Sequence, residues 1–251
     1  MRYISQYLSL HSAQSFPQSE HTFTGLPKDA VFAQHAEEPR FVRFKHKLVH
    51  TIMPAPVPGT PPFTYENAHR SAMTELLGAN GADNATLVIM ADVDELPSAE
   101  TVRLLQGCEG WGTRVHLLLR NFIYSYEWEL VRPSWRAAIE VWGPGAYYGH
   151  GIKKGEVVAL SNSGWHCRFV DCGALAQCAV LTGCLSFCFR TIEEFSLKMI
   201  GYSHADRVGG DHSLLDPERI QNTICQGGDV FNMLPEAYSY HDMYALTHLK
   251  P

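Results

Sequence analysis

No sustained apolar segment opens this chain. Residues 1–16, MRYISQYLSLHSAQSF, hold one arginine and no hydrophobic stretch, so neither a signal peptide nor a membrane anchor is expected there. An excess of positive charge is missing too: 20 Lys and Arg against 26 Asp and Glu leave a net charge of -6. That balance argues against a nucleic-acid partner, because phosphate backbones are met by a basic face. A single bound nucleotide stays open, since a metal can neutralise its phosphates. Charged residues are sparse at 18%, yet with 45% hydrophobic residues the composition is that of a globular chain and not a disordered one. No internal repeat is visible. One uncharged run, Cys172 to Phe189, reaches the length of a short membrane span. Gln177, Thr182, Ser186 and two glycines dilute it, which argues against a span.

What is present is enough chain, 251 residues, for one substantial core or two lobes. It carries 13 His, 5 Trp and 11 Tyr, residues that stack on sugar rings or fill cores equally well. Seven cysteines, an odd number, leave at least one thiol in a monomer. Asn84-Ala85-Thr86 is a glycosylation sequon in form.

Along the chain, residues 54–62, PAPVPGTPP, read as a loop. A helix is expected from Tyr65 to Leu77, capped by Thr64, with Ala68, Ala72 and Leu76 on one face and Gly78 at its end. Thr86 to Ala91, TLVIMA, is a short apolar run that reads as a strand buried on both faces, as in a parallel sheet. Pro97-Ser98 then breaks the chain, and Ser98 to Gln106 reads as a helix with Val102 and Leu105 inward. Val115 to Leu119 and Phe122 to Trp128 are further strands. Thr191 to Glu194 forms a capping box ahead of Ile192, Phe195 and Met199 at helical spacing. Asp216-Pro217 opens another helix that Gly227-Gly228 stops. Such mixing implies an α/β domain.

Asp92-Val93-Asp94-Glu95 therefore sits just beyond the carboxyl end of a strand, where open α/β sheets bind ligands. Two carboxylates two residues apart can converge on a hard cation that keeps positions open for phosphate oxygens. Such a cation stabilises a diphosphate as it leaves. Glu95 adds a third carboxylate, beside the ligands or aimed at an acceptor. A solvated acidic turn is the bland alternative. A haloacid-dehalogenase-type phosphohydrolase is the rival, with Lys198 and Gly210-Asp211 to Asp216 as its downstream parts. Against it, Ser203 to Gly209 is polar where a buried strand is needed, and Asp216 reads as a helix cap.

Asp92-Val-Asp-Glu-Leu-Pro97 resembles the D-x-D-E-[IL]-P motif of glycosyltransferase family 17, and other segments match that family in order. They are Thr22-Phe-Thr-Gly-Leu-Pro-Lys28, Leu119-Arg-Asn-Phe-Ile-Tyr-Ser125, Ser134-Trp-Arg136, Ser163-Gly-Trp-His-Cys167, Ser186-Phe-Cys-Phe189, Phe195 with Lys198, Tyr202-Ser-His-Ala-Asp206, Ile224-Cys-Gln-Gly-Gly228 and Met233-Leu-Pro-Glu236. The resemblance implies a GT-A-like α/β fold with a mixed, mostly parallel central sheet. It also implies inverting transfer of N-acetylglucosamine from UDP-GlcNAc to a mannose of an N-linked glycan, with Mn²⁺ (or Mg²⁺), in the Golgi. By the same resemblance Asp92 and Asp94 hold metal and diphosphate. Trp165 and His166 shape the sugar pocket, or else pack in a core. Arg70 either pairs with phosphate or braces its helix. Inversion needs a general base near the acceptor hydroxyl; Asp206 is the first candidate and Glu127 the second.

Two departures stand out. Between Cys167 and Ser186 the family motif is interrupted by an insert, residues 168–185, that adds three cysteines and is uncharged after Asp171, like a translated intron. Cys172, Cys178 and Cys184 recur there at a spacing wider than the zinc knuckle of two to four residues, which argues against zinc. Without the insert, Cys167 and Cys188 would form a close pair suited to a disulfide. At the start, Met1 to Gln18 does not read as the family's first strand, so residues 1–20 are set apart from a family-like domain over 21–251. A missing strand would leave a sheet edge open. A non-catalytic remnant of the family is accordingly the alternative, and any membrane attachment is expected only through an anchor absent from this sequence.

Overall fold

Gln14–Ser19 is a strand (β1), although residues 1–18 carry no strand-like pattern. In this computed structural model, which describes residues 13–134, 137–149, 158–168 and 191–233, β1 pairs in parallel with Leu48–Met53 (β2) from Gln14↔Leu48 to Ser19↔Met53. A strand thus occupies part of a segment that carries no strand-like pattern, in a two-stranded sheet of its own. Pro17 and three polar neighbours hide the pattern, and proline is tolerated on an edge strand, where one side of the ladder is empty. The crossover between the two strands holds two short helices, α1 (Val31–His35) and α2 (Pro39–Val42). Phe32 meets Phe16, Phe41 and His50 edge-on, with ring centroids 4.8, 5.3 and 5.0 Å away.

Helix α3 spans Pro62–Ala79 and starts three residues before the expected position, with proline in its first turn, where a missing N–H costs nothing. Its fully buried residues are Tyr65 and Met73, with His69 midway between them; Ala68 is exposed, so the inward face is rotated from the expected one. Tyr65 fixes the helix to β1, its hydroxyl 2.8 Å from Ser19 Oγ and donating to the Pro54 carbonyl at 2.6 Å. These elements, with Val141–Gly149 and Gly201–Ser203, form the first of two compact units.

Most of the remainder forms the second unit. Its elements are β3 (Leu87–Met90, which straddles the boundary), β4 (Glu95–Pro97), α4 (Ala99–Gly107), β5 (Arg114–Leu117), β6 (Leu119–Ile123), β7 (Ser125–Ser134), β8 (Ala138–Val141), β9 (Val158–Leu160), β10 (Gly164–Arg168), α5 (Ile192–Gly201) and α6 (Pro217–Gln226). The strands form two sheets, ordered β4-β10-β6-β7 and β3-β8-β5-β9. Pairings β10/β6 and β5/β9 are parallel, whereas β10/β4, β6/β7 and β5/β8 are antiparallel. Among the described residues the fold is a mixed α/β one, as expected, with its strands in two sheets rather than one mostly parallel sheet. The run at β3 misled because it lies at a sheet edge: Val88 and Met90 are buried, while Leu87 and Ile89 are only half-buried. The break expected at Pro97-Ser98 is where β4, also an edge strand, ends and α4 begins.

The helix ends follow their chemistry. Ser98 Oγ accepts the Thr101 N–H at 3.1 Å to cap α4, and Val102 and Leu105 are buried as expected. Thr191 Oγ1 accepts the Glu194 N–H at 3.3 Å ahead of α5, whose Phe195 and Met199 are fully buried. Asp216 accepts the Arg219 N–H at 2.7 Å to cap α6, and Gly227, at φ +64°, closes that helix. A Cβ on Gly227 would stand 2.3 Å from the Trp128 ring, so the position also needs the missing side chain. Among the described residues no helix is long and apolar enough to cross a membrane. The run Cys172 to Phe189, insert residues 169–185 and Cys188 lie outside the described residues. Cys167 is a buried thiol, and Cys225 is disulfide-bonded.

Candidate active site

The turn after β3 is held by its own backbone and one side chain. Glu95 N–H donates to the Asp92 carbonyl at 3.0 Å, and the Glu95 carboxylate reaches back to accept the Asp92 N–H at 3.0 Å. Glu95 is only 4% exposed. It therefore neither faces an acceptor nor hangs in solvent; it folds the acidic turn. Val93 is 89% exposed, so the turn projects outward between Asp92 and Asp94.

Next, β10 docks on that turn. Cys167 N–H donates to the Asp94 carbonyl at 2.9 Å, and β10 runs antiparallel to β4 with His166↔Glu95, Trp165↔Leu96 and Gly164↔Pro97. Gly164, at φ +144°, permits this approach, because a Cβ there would lie 2.1 Å from the Leu96 carbonyl oxygen. On its other side β10 pairs with β6 in parallel, setting Trp165 against Arg120 and His166 against Asn121. Cross-strand partners share a sheet face and sequence neighbours do not. Glu95, His166 and Asn121, each under a tenth exposed, thus form a buried polar row on one face. Leu96, Trp165 and Arg120 lie on the other.

Beside that row sits Asp94, its side chain 14% exposed. His166 Nε2 is 3.7 Å from its Oδ1, and Lys198 Nζ, from α5, is 3.5 Å from its Oδ2. Asp92 is exposed. Two hard carboxylate donors on one turn suit a cation that keeps most of its coordination sphere for phosphate oxygens and water. They do not make a closed cage: among the described residues no group of three or more His, Cys, Asp or Glu side chains is placed to hold a metal.

The opposite face opens on a cleft of about 620 Å³ lined by Ser98, Glu100, Thr101, Arg120, Asn162 and Trp165, among others. Half-buried Trp165 and hydroxyl or amide groups are the chemistry of a sugar surface. Arg120 is held across it by a two-pronged bond to Glu129, at 2.8 and 2.6 Å, which raises its already high pKa. Neither Asp92, Asp94 nor His166 lines this cleft. Trp165 and His166 thus point to opposite faces of β10, and of the two Trp165 lines this cleft.

The other expected residues lie on other elements. Arg70, in the first unit, bonds Glu66 one helical turn away at 2.7 Å. Asp206 is exposed on a 3₁₀ turn (Ala205–Arg207) and makes none of the contacts that join Asp94, His166 and Lys198. Glu127 lies on β7, and its side chain is outside the described residues. The phosphohydrolase parts come apart. Asp211 and Asp216 cap helical turns by accepting the Ser213 and Arg219 N–H groups, and Lys198 pairs with the second aspartate of the motif instead of the first. Lys198 stands out in the sequence through its motifs, but its place beside Asp94 does not; it sits between Phe195 and Met199, at the margin of a buried stripe.

An α/β chain with an acidic turn at a strand end, matched over residues 2–250 to a sugar-transferring family, is a glycosyltransferase. The family is glycosyltransferase family 17, and the chain belongs to it; the match takes in residues 2–20 as well as the rest. Neither the curated proteins nor the solved structures contain a match.

Proposed function

We propose that this chain transfers N-acetylglucosamine from UDP-GlcNAc to a mannose of an N-linked glycan, with inversion and with the help of Mn²⁺ or Mg²⁺. The observation behind the reading is the Asp92–Glu95 turn, with the Asp94 carboxylate set between His166 and Lys198. In this reading Asp92 and Asp94 hold the cation, which would offset charge on the departing diphosphate. Glu95 keeps both aspartates on one turn. Asp206, exposed and so open to an acceptor, is the first candidate for the base that takes the hydroxyl proton, with Glu127 second. Trp165 offers a face on which a sugar ring can stack. The fold reading is GT-A-like, and the place of action is the Golgi.

The test is UDP release from UDP-GlcNAc in the presence of an N-glycan, with MnCl₂ and with EDTA. Turnover that needs metal and falls by about 100-fold or more in Asp94→Asn supports the reading. No UDP release under any condition overturns it; UDP binding without turnover would mark a non-catalytic relative. Asp206→Asn with full turnover removes that residue as the base.

A further inference from the structure

The two nitrogens nearest the Asp94 carboxylate, on His166 and Lys198, stand at long distances. Among the described residues the pairs Arg114–Glu140, Lys45–Glu37 and Arg70–Glu66 close to 2.6–2.7 Å. At Asp94 the separations are 3.7 Å to His166 and 3.5 Å to Lys198. Both exceed the 2.7–2.9 Å of a charge-assisted hydrogen bond. Among the described residues, then, neither nitrogen makes a short bond that occupies the carboxylate oxygens. Lys198 is anchored at its root, because Phe195 and Met199 on either side of it are fully buried, while its own side chain is 28% exposed. A fixed root and a flexible four-carbon stem let the ammonium sweep a short arc without moving the helix.

Resting on the reading of Asp92 and Asp94 as the grip on a nucleotide sugar, we propose that Lys198 is an exchangeable counter-ion. Without nucleotide it neutralises Asp94; when a divalent cation and a nucleoside diphosphate enter, it yields the carboxylate and binds a phosphate oxygen. The charge balance favours the exchange. Two aspartates and a diphosphate together outweigh one divalent cation, and a lysine in reach reduces the excess. Lys198 then competes with the cation for Asp94 when nucleotide is absent and cooperates with it when nucleotide is present. A lysine serving only to brace α5 would do neither.

The test compares the intact chain with Lys198→Met and Lys198→Arg, by electron paramagnetic resonance of unbound Mn²⁺ without nucleotide and by calorimetry of UDP binding in Mn²⁺. The expected result is opposite in sign for the two ligands. Lys198→Met binds Mn²⁺ alone several-fold more tightly and binds UDP about tenfold more weakly. Lys198→Arg regains most of the UDP affinity. Circular dichroism and melting temperature establish that both variants fold. If the unaltered chain binds UDP but Lys198→Met leaves both constants unchanged, or weakens both alike, the counter-ion role is overturned and the transferase reading stands. If the unaltered chain binds neither ligand, the transferase reading itself fails and takes this proposal with it.

Discussion

Glu95→Ala is the sharpest perturbation of the acidic turn. The Glu95 carboxylate, 4% exposed, accepts the Asp92 N–H at 3.0 Å and so closes the turn that presents both aspartates. A hydrogen bond to a charged acceptor contributes about 1.5–3 kcal/mol, and alanine also leaves a small void among Glu95's buried neighbours. Against this stands the cost of holding a carboxylate away from water, which alanine relieves. The net expectation is a loss of about 2 kcal/mol for Glu95→Ala and about half as much for Glu95→Gln, which keeps an acceptor oxygen but not the charge. Urea unfolding followed by circular dichroism measures both. Mn²⁺ affinity, measured alongside, should fall in Glu95→Ala although Asp92 and Asp94 are intact. A Glu95→Ala protein within about 0.5 kcal/mol of the parent and with unchanged Mn²⁺ affinity would refute the clamp.

The Arg114–Glu140 pair joins β5 to β8 at 2.6 Å with both side chains about nine-tenths buried, so Arg114→Met alone should cost about 3–5 kcal/mol in urea unfolding, and adding Glu140→Leu should recover most of it. Gly227→Ala should cost at least ~2 kcal/mol, from its left-handed backbone and from the Trp128 ring that a Cβ would strike, and should lower the melting temperature. His69 lies edge-on to Phe23 and Tyr65, and burial first, then the nearby Lys28 and Arg70 charges, pushes its pKa from 6.5 down to about 4, with Glu66 opposing. The unfolded chain thus binds this proton more readily, so the folded state should lose stability as pH falls from about 6.5 to about 4, by ~1–2 kcal/mol after allowing for the water that still reaches the ring. His69→Leu should flatten that part of the pH–stability curve, and an unchanged slope would count against the assignment. Trp165→Ala should leave Mn²⁺ and UDP binding intact while weakening glycan binding, measured by calorimetry with the isolated glycan; equal loss of UDP binding would place Trp165 at the diphosphate instead.

The sequence made some of this legible and concealed the rest, for reasons that differ by residue. Capping chemistry was readable because it is local: Ser98, Thr191 and Asp216 each accept an N–H three residues ahead, and Gly227 closes α6. The position of the acidic turn was readable because the run before it is short and apolar. Sheet membership was not, because an apolar run does not tell an edge from a centre; β3 has only alternate residues fully buried. β1 was concealed by Pro17 and its polar neighbours, and it forms because β2, nearly thirty residues on, offers a parallel ladder. The roles of Glu95 and Lys198 depend on a turn folding back and on a helix distant in sequence, neither of which spacing encodes.

The site owes its two-sidedness to one strand. Trp165 and His166 are adjacent in a motif, and a motif invites one role for both. A β-strand forbids it, because successive side chains leave opposite faces. Pairing fixes which face is which: His166 meets Glu95 and Asn121, and Trp165 meets Leu96 and Arg120. Gly164 makes this possible by letting β10 approach the Leu96 carbonyl closely enough to pair on both sides. A side chain at 164 would push β10 off β4, part Cys167 N–H from the Asp94 carbonyl and draw His166 away from the Asp94 carboxylate. The glycine of this motif therefore sets the geometry of the acidic turn without touching it, and the tryptophan beside it belongs to a different surface from the histidine that follows.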